Sequence, residues 1–199
     1  MMYVVGVTGG IGSGKSTVSG FLEEQGAYIF DADIVAKQLL DTDPELQQDL
    51  IDEFLEDIID TEGNIVKEKL ARIGFSNKAN QETLNDIVHP YVFKAHEEEL
   101  EKVRRRGSTN LYVIDAPLLF ESGLNQRTDY DILVYAKLKV RLSRALKRGT
   151  LTREQILKRM DLQMPEEEKM EFADFIIENN GTEEELKAET LKVYDQILG

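Results

Sequence analysis

The chain has 199 residues, 41% of them hydrophobic, and a formal net charge of −14. That length and apolar share support a real core in one compact unit with elaborations. Acidity on this scale argues against broad nucleic-acid or anionic-membrane binding, and the lack of any cysteine rules out disulfide frameworks and thiolate metal sites.

The opening run "MMYVVGV" is too short for a signal h-region and has no basic flank, and no stretch approaches the roughly 20 apolar residues of a membrane span. A cytoplasmic protein is expected. "YVVGV" (3 to 7) reads as the first strand, followed at 9 to 16 by "GGIGSGKS", which fits G-x-x-x-x-G-K-[ST]. Glycines there let the backbone take positive φ and approach phosphate closely, while successive N–H groups and a helix N-terminus point at its oxygens. Gly12, Ser13, Gly14, Lys15, Ser16 and Thr17 are the expected nucleotide-binding residues. Lys15 would reach the β and γ phosphates, the Ser16 hydroxyl would ligate Mg2+, and Thr17 would lie against the α phosphate. Nucleoside triphosphate binding follows, but the loop alone does not say whether the γ phosphate goes to water or to an acceptor.

The first helix is expected from Lys15 to about Glu24, stopped by Gly26, and "AYIF" (27 to 30) is the second strand. "FDADIVAK" (30 to 37) then places Asp31 and Asp33 beyond a strand's carboxyl end, where open parallel sheets bind ligands. Either aspartate could serve the next helix, Asp31 as its cap and Asp33 in its first turn. A hydroxyl acceptor, however, must lose its proton as the phosphate bond forms, and a carboxylate within reach accepts it. Asp31 is the better cap and Asp33 the better base.

About 80 residues separate the second strand from the third, too many for one crossover, and they read as helices. His89 and Pro90 fall within the longest of them, where proline removes a donor and predicts a kink. "RRRG" (104 to 107) suits a helix C-terminus. "LYVID" (111 to 115) is the third strand, and Asp115 at its end either holds Mg2+ or simply terminates the strand before Pro117. Leu118, Leu119 and Phe120 are core or substrate-lining residues.

After the fourth strand, "DILVY" (131 to 135), residues 139 to 159 carry eight basic side chains against one acid, Glu154. Arg141, Arg144 and Arg148 share one helical face, with Leu138, Leu142, Ala145 and Leu146 on the neighbouring one. That pattern fits either a solvated basic face or a lid anchored by its leucines, whose arginines neutralise the transferring phosphoryl group. Thr152 with Gln155 and Thr182 with Glu185 have capping-box spacing, and "FII" (175 to 177) is the fifth strand. Most of the strands are apolar throughout, which suggests a parallel sheet buried on both faces.

The segments "TGGIGSGKST", "FDADIVAKQLL", "LNDIVHPYV", "VIDAPLLFESGL", "LTREQILKRMDLQMP" and "IIENNGTEEEL", in this order, resemble the dephospho-CoA kinase family. The resemblance implies an α/β, three-layer P-loop kinase fold with a five-stranded parallel sheet, a helical substrate-binding insertion and a basic helical lid. One unit would be divided into a core (1–31, 108–136 and 165–199), a substrate subdomain at about 32–107 and a lid at about 137–164. It implies transfer of the ATP γ phosphate to the ribose 3′-hydroxyl of dephospho-CoA, with ATP as co-substrate and Mg2+. Asp33 would be the base, Lys15, Arg144 and Arg148 catalytic, Asp33 and His89 on the substrate side, and Ser16 and Asp115 on the metal. The chain departs from the family at Gly149, where Asp is frequent, and at Val66 and Lys67, where an Asp-Arg pair is common. No nucleic-acid or membrane partner is expected, and a monomer is favoured. A nucleoside or nucleotide kinase with another acceptor, or a slow regulatory ATPase, are the alternatives.

Overall fold

The computed structural model describes residues 1–199, the side chain at position 56 excepted. In chain order the elements are β1 (Tyr3–Thr8), α1 (Lys15–Glu24), β2 (Tyr28–Asp31), α2 (Ala32–Thr42), α3 (Pro44–Phe54), a 3-10 turn (Leu55–Ile58), α4 (Lys67–Gly74) and α5 (Lys78–Arg106). There follow β3 (Leu111–Asp115), α6 (Leu119–Ser122), a second 3-10 turn (Leu124–Arg127), β4 (Tyr130–Tyr135), α7 (Leu138–Lys147), α8 (Arg153–Asp161), α9 (Glu166–Phe172), β5 (Phe175–Glu178) and α10 (Glu183–Leu198). They form two compact units, residues 1–31 with 99–199, and residues 32–98.

The first unit holds one five-stranded parallel sheet in the order β2-β3-β1-β4-β5. Successive side chains of a strand point to opposite faces, so Val5 and Val7 of β1 face one way and Gly6 the other. The valine face packs on Val18, Phe21 and Leu22 of α1 and on Leu186, Val193 and Ile197 of α10. On the opposite face, a Cβ at Gly6 would come within 2.5 Å of the Leu119 side chain and would also strike the carboxylate of Asp131. Only glycine leaves room there.

The chain leaves β1 toward one side of the sheet and later crosses to β4 on the other. The switch point therefore lies between β1 and β3, at whose carboxyl ends a crevice opens. The phosphate loop follows β1, and Asp115 ends β3 opposite Val7 of β1 and Asp31 of β2.

The second unit closes around Leu46, Leu50, Ile58 and Leu70, with Leu84, Ile87, Val88 and Tyr91 of α5 packed on them. Asp43 caps α3, accepting from the N–H groups of Glu45 and Leu46, and Pro44 supplies the preset φ of a first turn. α5 continues through Pro90. The ring removes one hydrogen bond, and the 29 residues of the helix supply enough others to carry it past that point. Gly107, at φ +60°, ends it after the three arginines Arg104 to Arg106. Both expected capping boxes form, Thr152 with Gln155 and Thr182 with Glu185. No described helix is long and apolar enough to cross a membrane.

Candidate active site

The loop from Gly9 to Gly14 closes on itself through Ser13 N–H donating to Gly10 C=O at 2.9 Å. Gly12 and Gly14 sit at φ +79° and +101°, the left-handed region that side chains disfavour. They are crowded as well: a Cβ on Gly12 would run into the Arg141 carbonyl, and one on Gly14 into the Asn179 carboxamide. Gly14 C=O then accepts from Thr17 N–H (2.9 Å) and Val18 N–H (3.2 Å), which starts α1 and aims its first turn outward as an anion site. Ser13 is buried, whereas Ser16 and Thr17 are exposed at the mouth of the loop.

Lys15 forms an ion pair with Asp115. The carboxylate is 2% exposed, and its second oxygen accepts from Ser19 Oγ at 2.6 Å, so α1 holds Asp115 from two successive turns. Pro117, two residues on, is tied by its carbonyl to Thr8 Oγ1 (3.3 Å) and to the fully buried Lys169 Nζ (2.8 Å). Lys169 also pairs with Glu121 at 3.0 Å. A buried ammonium thus fixes the turn that carries Asp115 out of the sheet. Leu119 is fully buried, and Phe120 packs its ring 5.5 Å from Phe172.

The arginines of α7 grade from buried to exposed along the helix. Arg141 is 6% exposed and pairs with Glu166 at 2.6 Å, and the same Glu166 oxygen accepts from Gly10 N–H at 3.0 Å. Arg144 is partly buried, with Nη1 donating to the Asn179 carbonyl (3.0 Å) and more weakly to Ser13 C=O (3.4 Å), and Nη2 to Asn179 Oδ1 (3.1 Å). Arg148 is exposed at the end of α7. Together with Gly12, Gly14, Thr17 and Asn179, the last two arginines line a cavity of about 420 Å3 beside the loop.

The sequence pattern assigned anchoring to the leucine face of α7, and the structure corrects this. Leu138 and Leu146 are 56% and 40% exposed, while Arg141 is buried. The reason is Glu166, brought from α9, whose carboxylate makes burial of a guanidinium tolerable. Ala145, Ile156 and Met160 do pack together, and Ile11 of the phosphate loop joins them along with Leu142 and Leu151. Gln163 Oε1 accepts from Ile11 N–H at 3.3 Å.

Two expected residues lie in the other unit. Asp33 is exposed in the first turn of α2. His89 is half-buried on α5, its ring stacked 6.0 Å from that of Phe93. Lys67, at one of the departures from the family pattern, pairs with Asp41 at 2.5 Å. Gly12 to Thr17, Asp115, Arg144 and Arg148 belong to the sheet-bearing unit; Asp33 and His89 belong to the helical one.

Sequence reading missed Gln163, Glu166, Lys169 and Asn179. Gln163 and Asn179 fall inside two of the quoted family segments without being singled out, and Glu166 and Lys169 follow directly in "QMPEEEK".

The family model for dephospho-CoA kinase matches residues 3–185. A dephospho-CoA kinase of Geobacillus kaustophilus is 39% identical over 196 residues, covering 98% of this chain and 97% of its own. A solved structure from Thermus thermophilus superimposes with a TM-score of 0.84 at 34% identity, covering 100% of this chain and 98% of that one. A dephospho-CoA kinase from Campylobacter jejuni gives a TM-score of 0.67 at 29% identity, over 99% and 98% of the two chains. The fold is that of the P-loop kinases, α/β with helices around a five-stranded parallel sheet. With the match running almost from end to end, this chain belongs to the dephospho-CoA kinase family.

Proposed function

We propose that the protein transfers the γ phosphate of ATP to the ribose 3′-hydroxyl of dephospho-CoA, yielding ADP and coenzyme A. The observation that carries this reading is a phosphate loop at the sheet's switch point, in a chain whose family match spans residues 3–185. Residues Gly12 to Thr17 bind the phosphates through backbone N–H groups, and Lys15 offers its charge to the β and γ positions. Arg144 and Arg148 add positive charge beside the triphosphate, where it offsets the charge spread over the equatorial oxygens as transfer proceeds.

Asp33 accepts the proton of the attacking 3′-hydroxyl. Because the transition state is loose, the proton leaves late, and a carboxylate of ordinary basicity suffices. The helical unit at residues 32–98 serves as the substrate subdomain, with His89 on its substrate side, and residues 137–164 serve as the lid.

Mg2+ fits the side chains present. Asp115 is a buried hard-oxygen donor, left to face the ion once Lys15 turns from it to the phosphates, and the Ser16 hydroxyl stands one residue further along α1. Ser16 and Asp115 would hold the ion, which when bound neutralises phosphate charge. The protein acts in the cytoplasm in this reading, consistent with its lack of cysteine.

The test is ADP release with ATP and Mg2+ across dephospho-CoA, adenosine, AMP and cytidine. Strong stimulation by dephospho-CoA alone is the expected result. Release no faster than in water, or stimulation by another acceptor instead, would overturn the reading.

A further inference from the structure

Asn179 follows the last residue of β5, and its backbone N–H donates to Tyr135 C=O at 2.7 Å, which sets its place at the carboxyl end of the sheet. It is 5% exposed and uses both ends of its side chain. Nδ2 donates to Ser13 C=O at 2.7 Å, and Oδ1 accepts from Arg144 Nη2 at 3.1 Å. A carbonyl can only accept and a guanidinium can only donate, so the pair of neighbours demands a group that does both in fixed positions. An asparagine carboxamide meets that demand.

The consequence lies in the Ser13–Gly14 peptide. The Ser13–Gly14 peptide is trans, so the Gly14 N–H points opposite to the Ser13 C=O within one rigid plane. The Ser13 carbonyl is pulled toward Asn179 and, at 3.4 Å, Arg144. Gly14 N–H must therefore face the other way, away from Asn179. Gly14 carries no side chain, and its absent Cβ is what lets the carboxamide come so close.

We propose that Asn179 is a positioning residue for nucleotide binding. It orients the Ser13–Gly14 peptide so that the Gly14 amide meets phosphate, and it fixes Arg144 in the same contact. This rests on the reading that the loop binds ATP, but not on the identity of the acceptor.

Two substitutions separate the contacts. Asn179→Asp keeps the shape and the Arg144 pairing while replacing the donor to Ser13 C=O with a repelling oxygen. Asn179→Ala removes both side-chain contacts without adding charge, leaving the backbone carbonyl on Arg144, and serves if the aspartate variant does not fold. The measurements are ADP affinity by calorimetry, KM for ATP and for the acceptor, and melting temperature without nucleotide. Asn179→Asp is expected to weaken ADP binding about tenfold or more, with Asn179→Ala showing a similar loss. KM for ATP should rise, with KM for the acceptor unchanged. ADP affinity within about twofold of the parent in a folded variant, with only the melting temperature lowered, would overturn the proposal. So would loss in Asn179→Ala alone, because the carboxamide would then serve Arg144 and not the loop. If the parent protein binds ADP yet fails to phosphorylate dephospho-CoA, the proposed acceptor falls while this inference is still tested by affinity.

Discussion

Residues 32–98 carry sixteen acids against six bases, and so hold ten of the chain's fourteen net negative charges, whereas the sheet-bearing unit is close to balance. In the helical unit the acids are mostly exposed. Glu45, Asp49, Asp52, Glu53 and Asp86 line an open cavity of about 670 Å3 with Lys94 as its one base. Tyr91 donates to Asp49 at 2.5 Å, and chiefly that hydrogen bond pushes its hydroxyl up to about 12. The core beneath is apolar. In the sheet-bearing unit the charges are fewer in excess but deeper, as with Asp115, Arg141, Lys169 and Asp131. One unit is held by apolar packing under a charged surface. The other is held partly by buried polar contacts that converge on the phosphate loop, and the same side chains there serve stability and ligand geometry.

That contrast can be broken most sharply at Asp33, an exposed acid of the helical unit. Asp33→Asn should lower turnover by roughly 10² to 10⁴ while ATP affinity and melting temperature stay near the parent values. Turnover equal to the parent's would return Asp33 to the role of a helix-start residue.

Arg141 tests the opposite case. Arg141→Met leaves Glu166 buried without its cation, and denaturant unfolding should show a loss of about 3–5 kcal/mol, with weaker nucleotide binding alongside. Pairing it with Glu166→Gln should restore much of the stability. A single variant as stable as the parent would mean that the buried pair does not hold α7 to the loop.

The smallest effect is expected at Asp131, a buried carboxylate with a second aspartate, Asp174, nearby. Burial pushes its carboxyl up to about 6, with the Thr128 hydrogen bond opposing and Asp174 adding to the rise. Between pH 4 and 6 the folded chain then binds more protons than the unfolded one, so this group lowers stability as pH rises through that window. Asp131→Asn should therefore stabilise the protein at pH 7.5 by roughly 1–3 kcal/mol and have little effect below pH 4. Chemical denaturation at the two pH values checks both the sign and the window. No gain at the higher pH would show that the buried acid is better compensated than its neighbours suggest.

Much of the fold was legible before the structure. Apolar runs marked all five strands, Gly26 marked the stop of α1, and Thr152 and Thr182 marked two helix starts, because each signal depends on residues within one turn of chain. The phosphate loop was legible for the same reason. Misjudgement fell where partners are remote. Arg141 looked like a reaching residue, since nothing near it in sequence announces Glu166 twenty-five positions on. Asn179 was not singled out, because its partner Ser13 is 166 positions away. Pro90 does not end α5, which continues through it to Arg106.

The amino-acid order by itself determined the strands, the helix ends, the loop that takes phosphate and the family to which the chain belongs, because hydrophobic period, glycine freedom and capping are local properties. Tertiary structure alone decided which arginine is buried, which carbonyl Asn179 holds and which lysine braces Asp115. Those outcomes depend on charges and donors that come together only when distant elements pack, and burial then forces each of them to find a partner.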